Sequence, residues 1–522
     1  MRERSLPSWA PTLGVAIALS ALVAWSFAHR YAQLTETPFP VGVDGYFYPL
    51  QLRSLLATGH LQYAASPLTF WLMAPLAAAT DPITGAKLGA ALFGALVALP
   101  AYAVGGRLAR SRGAGLVAAA VATTSAGSAF MTFEFVKNGV GLTIGLLAVW
   151  LLLRQVERPS RARLAAFVIA LVAALLAHKM AAAIVIVIAV PALVAHAAGR
   201  GTLRGRRLLY TLLGIAVVSG GAIALGVVFP QRFLSPLDVG LVGDAWTGRA
   251  HWDAPALVRP NATLTMGHEA LLGGLCAVVA ALALYRRTRP LLRDPTPPKR
   301  SSGETAAAWA IVVLALAIAL PWLAVSDAQA LGFRLRVAAF VPLAICAALA
   351  VRALLGLVPR IVAVPPARWP VLRELCAAAL AVAIVVAMPR DRTEGRIVTH
   401  PALVTAAFAL AGRVPAGDTV IVPERHIAYM AAWYAQVAVS TRPDAIDRAH
   451  RWRLMPLAYI GDHTPLDDAL LAARRQPGLA PPIGLHPRHP DGLVLVAEPT
   501  WEWILAQLPA RDRAHYARWP TY

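Results

Sequence analysis

A chain of 522 residues that is 58% hydrophobic and 14% charged, with a mean hydropathy of +0.60, is too apolar for an ordinary soluble globular protein. Its formal net charge of +21 would suit nucleic acid, but the arginines fall in short loops between apolar runs. That pattern orients membrane helices, and it excludes a nucleic-acid partner. Cys276, Cys346 and Cys376 all lie within apolar runs, read as small core residues, and say nothing of redox compartment.

From the N-terminus to about residue 389, apolar runs recur near the ~20 residues that cross a hydrocarbon core of about 30 Å. The first, residues 11–28, follows Arg2 and Arg4 and lacks a small-residue cleavage site, so it reads as an uncleaved helix. Basic connections recur at 107–112, 154–163, 200–207, 286–300 and 360–373. Placing them all in the cytoplasm predicts spans near 12–33, 85–106, 113–131, 139–154, 163–178, 180–198, 207–229, 268–286, 306–325, 336–357 and 372–389, about eleven crossings. The run 164–196 fits this scheme only as two short helices broken at His178-Lys179. The run 66–79 is apolar but short, and reads as a re-entrant or interfacial helix; if it spans, every later loop changes side.

Composition changes sharply after residue 389, where Arg, Asp, His and Pro become frequent and strand-like runs (419–422, 493–496) alternate with helical stretches. The expectation is an all-α polytopic membrane protein of the cell (plasma or inner) membrane. Residues 1–389 form its transmembrane domain, with a first outer loop 29–84, and residues 390–522 form a small extracytoplasmic α/β domain.

Ionisable groups at helix ends are costly in lipid and usually face a cavity, so they are the candidates for chemistry. The first is Asp44, in Val41-Gly42-Val43-Asp44-Gly45, ahead of a segment whose Tyr48, Leu52, Leu55 and Leu56 share one helical face opposite Gln51, Ser54 and Thr58, with Gly59 as its stop. Asp44 is either a functional carboxylate at the mouth of a surface helix or merely its cap. Further on stands Pro67-Leu68-Thr69-Phe70-Trp71-Leu72.

A first helix, an outer loop with an Asp and aromatics before an amphipathic helix ending in Gly, and then this Pro-Leu segment together resemble the GT-C superfamily of polyprenyl-phosphate-dependent glycosyltransferases. That superfamily includes protein O-mannosyltransferases, aminoarabinose transferases and oligosaccharyltransferase catalytic subunits. The resemblance runs through about the first two hundred residues in order; the later helices and the tail match in layout. It implies that Asp44 is the catalytic base or a metal ligand, and that Glu134 is the acid of a later outer loop.

Glu134 and Lys137 lie in Phe133-Glu134-Phe135-Val136-Lys137-Asn138, where an ion pair three residues apart is the plain alternative. The paired acids of the oligosaccharyltransferase branch are absent here. Only four of the 48 Lys and Arg residues are lysine, and Lys87, Lys137 and Lys179 all fall at outer helix ends. A compact ammonium there suits a phosphate, and His178-Lys179 resembles the small basic tip that the family places near the lipid phosphate. Arg334 and Arg336 stand on the side the arginine rule disfavours; either clamps a donor phosphate in a bidentate fork or snorkels to headgroups. Glu269, His268 and the acids and imidazoles of 238–253 show no metal-ligand spacing and read as solvated loop. The tail segment 429–435 is aromatic but lacks the acceptor signature of oligosaccharyltransferases.

The resemblance thus implies a membrane glycosyltransferase that moves a sugar from a polyprenyl-phosphate-linked donor to a lipid, glycan or protein acceptor at the outer membrane face. No cofactor is required; a divalent metal (Mg²⁺ or Mn²⁺), held by Asp44 and Glu134, is allowed. The rivals are a transporter or flippase for a lipid-linked or anionic substrate, which would want charges at midplane inside broken helices, and a surface-glycan polymerase or ligase.

Overall fold

The computed structural model describes residues 10–199, 264–293, 302–319, 331–360, 368–388, 399–422, 424–440, 446–456, 464–484 and 493–517, with residues 221, 228 and 365 besides. The chain divides into two compact units, one of Met1–Thr35, Tyr63–Pro75 and Lys87–Gly395, the other of Glu36–Gln62, Leu76–Ala86 and Arg396–Tyr522.

The helices run α1 (Ala10–Thr35), α2 (Phe47–Thr58), α3 (Leu68–Ala79), α4 (Pro82–Leu96), α5 (Ala98–Ala109), α6 (Arg112–Thr124), α7 (Ala126–Phe133), α8 (Val136–Glu157), α9 (Arg161–Ala177), α10 (Lys179–Gly199), α11 (Leu264–Arg293), α12 (Ser302–Ala319), α13 (Leu331–Ala338), α14 (Phe340–Leu355) and α15 (Trp369–Val386). Among the described residues seven helices are long and apolar enough to cross a membrane, or eight if α6 and α7, bent by 46°, make one span. The expected count of eleven spans is not confirmed. The span 113–131 is the bent pair, α9 has 17 residues, and 207–229 and the end of 306–325 lie almost wholly outside the described residues. The run 66–79 is the 12-residue α3, too short to cross about 30 Å.

Serines punctuate the helices where the sequence changes direction. Ser111, Ser125 and Ser160 each accept a backbone N–H of the first turn of α6, α7 and α9. The expected break at His178 is present. α9 stops at Ala177, His178 is extended (φ −164°, ψ 129°) and α10 starts at Lys179.

With no hydrophobic drive between helices in lipid, close approach depends on small residues. A Cβ on Gly141 of α8 would come within 3.1 Å of the Cβ atoms of His178 and Ala181, and one on Gly113 within 2.5 Å of the Glu374 carbonyl oxygen. The buried core of this unit is accordingly rich in Ala, Val and Leu from α5, α6, α8, α10, α11, α12 and α14.

The tail continues with α16 (Pro401–Ala409), β1 (Thr419–Ile421), α17 (Arg425–Tyr434), β2 (Ala438–Ser440), β3 (Arg451–Pro456), α18 (Thr464–Ala473), β4 (Ile483–Gly484), β5 (Leu493–Ala497), α19 (Glu498–Gln507) and α20 (Ala510–Ala517). Among the described residues its five strands form one sheet in the order β2-β1-β3-β5-β4, with β2, β1 and β3 parallel and β5 antiparallel to both neighbours. Period-2 alternation explains why β5 is buried on both faces. Leu493 and Leu495 join Leu403, Ile427 and Leu454 on one side, whereas Val494 and Val496 join Met455, Leu470 and Trp501 on the other. Arg453 locks β3 to α19 through a bidentate pair with the buried Glu498, at 2.7 Å from both Nε and Nη2.

Candidate functional site

Asp44 occupies the second corner of a tight turn that the Gly45 N–H closes on the Gly42 carbonyl at 3.0 Å. Both glycines are dictated by the backbone itself. Gly42 has φ 98°, and a Cβ on Gly45 would sit 2.7 Å from the Val41 carbonyl oxygen. The capping alternative for Asp44 does not hold. α2 starts at Phe47 with Tyr46 as its N-cap and no side-chain cap, and only the Asp44 carbonyl, not its carboxylate, receives the Phe47 N–H. The carboxylate is half-buried and takes no hydrogen bond or ion pair among the described residues.

α2 departs from the expected two-faced surface helix. Phe47 to Leu52 are buried all round, Gln51 completely, while Leu56 on the expected apolar face is 45% exposed. Burial falls off along the axis instead of across it, because the first turns of α2 are packed on the tail. Arg53 stacks 4.4 Å over Trp433 and donates to the carbonyls of Ala432 and Trp433, and Phe47 lies 5.1 Å from the Tyr429 ring. Gly59 closes the helix as expected, left-handed at φ 74° with its N–H on the Leu55 carbonyl.

Directly behind the Asp44 turn is His426 of α17, 3% exposed, with Nδ1 3.0 Å from the Gly42 carbonyl oxygen and Nε2 3.0 Å from Thr399 Oγ1. A carbonyl can only accept, so Nδ1 carries the hydrogen and Nε2 takes the Thr399 hydroxyl proton. The imidazole is neutral: burial pushes its pKa below the ordinary 6.5, against the pull of Glu424 and of the Gly42 and Val43 backbone. Tyr46 packs edge-on against His426 and donates to the Tyr434 hydroxyl at 3.2 Å, and burial raises the pKa of both tyrosines. Sequence reasoning named neither His426 nor Thr399. Nothing in the spacing sets a histidine beginning one tail helix against a loop 384 residues earlier.

The remaining candidates belong to the helical unit. Glu134, 5% exposed, terminates α7, and the adjacent Phe135 carries the Arg334 guanidinium 5.1 Å over its ring. His178 packs against Gly141, one turn along α8 from Lys137. The start of α8 therefore gathers Glu134, Lys137, His178 and Arg334. Lys179 begins α10 half-buried, Arg336 sits half-buried on α13, and Lys87 on α4 is 7% exposed. Asp44 lies in the other unit.

Two polar residues serve this helical cluster in ways the sequence did not announce. Arg30, 3% exposed, donates to the carbonyls of Thr123 (2.7 Å) and Ser128 (3.0 Å), to Ser128 Oγ and Ser26 Oγ, and to the Thr132 hydroxyl. It fastens α1 to the bend that aims α7 at Glu134. An arginine in the last turns of an apolar helix was the available signal. Glu269 is not solvated loop: both its carboxylate oxygens take the Ala126 N–H, at 2.7 and 2.9 Å, at the start of α7.

No group of three or more His, Cys, Asp or Glu side chains able to hold a metal occurs among the described residues.

Among solved structures the chain is similar to ArnT from Cupriavidus metallidurans in the apo state, at 13% identity and a TM-score of 0.46. It is similar also to ArnT from the same organism bound to undecaprenyl phosphate, at 13% identity and a TM-score of 0.49. In both, 94% of this chain and 98% of the other are covered. No protein-family model matches the chain, and no curated protein does.

Proposed function

We propose that this protein is a GT-C-type membrane glycosyltransferase that transfers one sugar from a polyprenyl-phosphate-linked donor to an acceptor hydroxyl at the outer membrane face. The observation that carries the reading is the Asp44 carboxylate, unpartnered among the described residues, on a turn whose backbone is clamped from behind by a buried neutral histidine. A general base needs that combination of a free carboxylate and a fixed position. In the reaction the acceptor O–H gives its proton to Asp44 as the oxygen attacks the anomeric carbon. The bond from that carbon to the phosphate oxygen breaks, and polyprenyl phosphate leaves with the electron pair.

A phosphate leaving group needs charge compensation and no acid catalyst. Arg334, Arg336, Lys87, Lys137, His178 and Lys179 are the groups we assign to it, and the gathering of Lys137, His178 and Arg334 at the start of α8 supports that assignment. Asp44 and Glu134 are the acids we assign to a divalent cation, should the transfer use one. A lipid, a glycan or a protein supplies the hydroxyl.

The rival, a transporter or flippase, moves the donor without breaking it. Purified protein in liposomes given a donor radiolabelled in the sugar separates the two. Label passing to an acceptor with release of free polyprenyl phosphate supports the transferase. Label that stays on intact donor while changing leaflet supports the rival.

A further inference from the structure

Where α5, α11 and α14 end, they enclose a cleft of about 350 Å³ in the helical unit. Its walls are apolar, from residues such as Leu284 and Leu349, and its charged lining consists of Arg110, Arg287 and Arg352, one from each helix end. Arg110 is held there in a left-handed conformation, φ 52°, that side chains rarely adopt.

The acids of this end are already engaged. Arg107 takes Glu304 through Nε at 3.1 Å and Glu157 at 3.1 Å. Glu374 accepts from the Ser111 hydroxyl (3.0 Å) and the Gly113 N–H (2.6 Å) and lies 3.6 Å from Arg373. Arg110, Arg287 and Arg352 form no ion pair among the described residues, and the buried Nε of Arg352 has no hydrogen-bond partner. Arg352 follows Arg334 by eighteen residues on a continuous candidate span, about 27 Å at 1.5 Å per residue. The cleft is thus at the opposite end of the bundle from the groups assigned to the donor phosphate.

Three guanidinium forks that form no ion pair among the described residues, over apolar walls between membrane helices, suit a phosphate that carries acyl chains. We propose that this cleft binds the headgroup of an anionic phospholipid, as a second lipid-phosphate site independent of the transfer reaction.

The test uses delipidated full-length protein in phosphatidylcholine nanodiscs titrated with spin-labelled phosphatidylglycerol. Wild type should bind it saturably and in preference to spin-labelled phosphatidylcholine. Arg287→Gln with Arg352→Gln should weaken that binding by about 25-fold, at about 5-fold per arginine. Arg158→Gln with Arg161→Gln removes the same charge from exposed positions elsewhere and should leave it unchanged. If the first pair does not fold, Arg287→Gln alone, at an exposed position, should cost about 5-fold. Three results would overturn the proposal: full binding in the cleft variants, equal losses in both double variants, or complete displacement of the lipid by millimolar inorganic phosphate.

Discussion

His426 holds the Gly42 carbonyl of the Asp44 turn, and its protonation state makes that contact measurable. Its pKa is depressed below 6.5 in the folded protein because burial disfavours the imidazolium. As pH falls through 6.5 the unfolded chain therefore takes up a proton that the folded chain refuses. The stability His426 contributes is complete above that value and is lost as pH drops towards its folded pKa. Thermal melts at pH 8 and pH 5.5 should show wild type losing more stability than His426→Gln over that interval. Equal pH slopes would mean that the imidazole is not buried neutral. None of this was readable in the sequence, because a histidine announces a role only through its neighbours, and these come from Gly42 and Thr399. Asp44 was already a candidate in the sequence, as a carboxylate in Gly42-Val43-Asp44-Gly45 just before an amphipathic helix.

At the scale of elements, the packing of α7 on α13 turns on one glycine. A Cβ on Gly127 would lie 2.3 Å from the Val337 carbonyl oxygen, so Gly127→Ala must push the two helices apart. A cost of about 1–3 kcal/mol follows, seen as a lower thermal midpoint. Gly274→Ala is the control: nothing lies within 4 Å of its Cβ, and the better helix propensity of Ala should stabilise α11 by about 0.5–1 kcal/mol. Equal stability of the two variants would remove the close helix contact. Hydropathy located α1, α8 and α10, and the strained run 164–196 divided at His178 because two short helices satisfied the arginine pattern where one did not. It could not foresee the bend at Ser125, since a serine cap inside an apolar stretch leaves average hydropathy almost unchanged. Nor could periodicity show that α2 would be buried at its start and bare at its end, because the surface that covers it is the aromatic stretch of α17.

For the whole molecule the sequence placed a sheet after residue 389, and β1 and β5 lie where the strand-like runs were read. It did not reveal that Glu36–Gln62 belongs to the same compact unit as that sheet, a pairing fixed by contacts that bridge nearly four hundred residues. That shared unit keeps the Asp44 turn and the tail together, and the reading we propose puts both on the outer side of the membrane. Alkaline phosphatase fused after residue 389 should be active, and a fluorescent protein that folds only in the cytoplasm should be dark there; the reverse would invert the topology. The central claim, that Asp44 is the base of a glycosyl transfer, is reached most directly through Asp44→Asn. The side chain caps nothing, so the variant should express and melt like wild type. An amide cannot take the acceptor proton, and loss of a general base costs about 10²- to 10⁴-fold in rate. With purified protein, reconstituted with its donor and acceptor, the account predicts a fall of that size in kcat. A variant keeping more than about a tenth of wild-type kcat would contradict it.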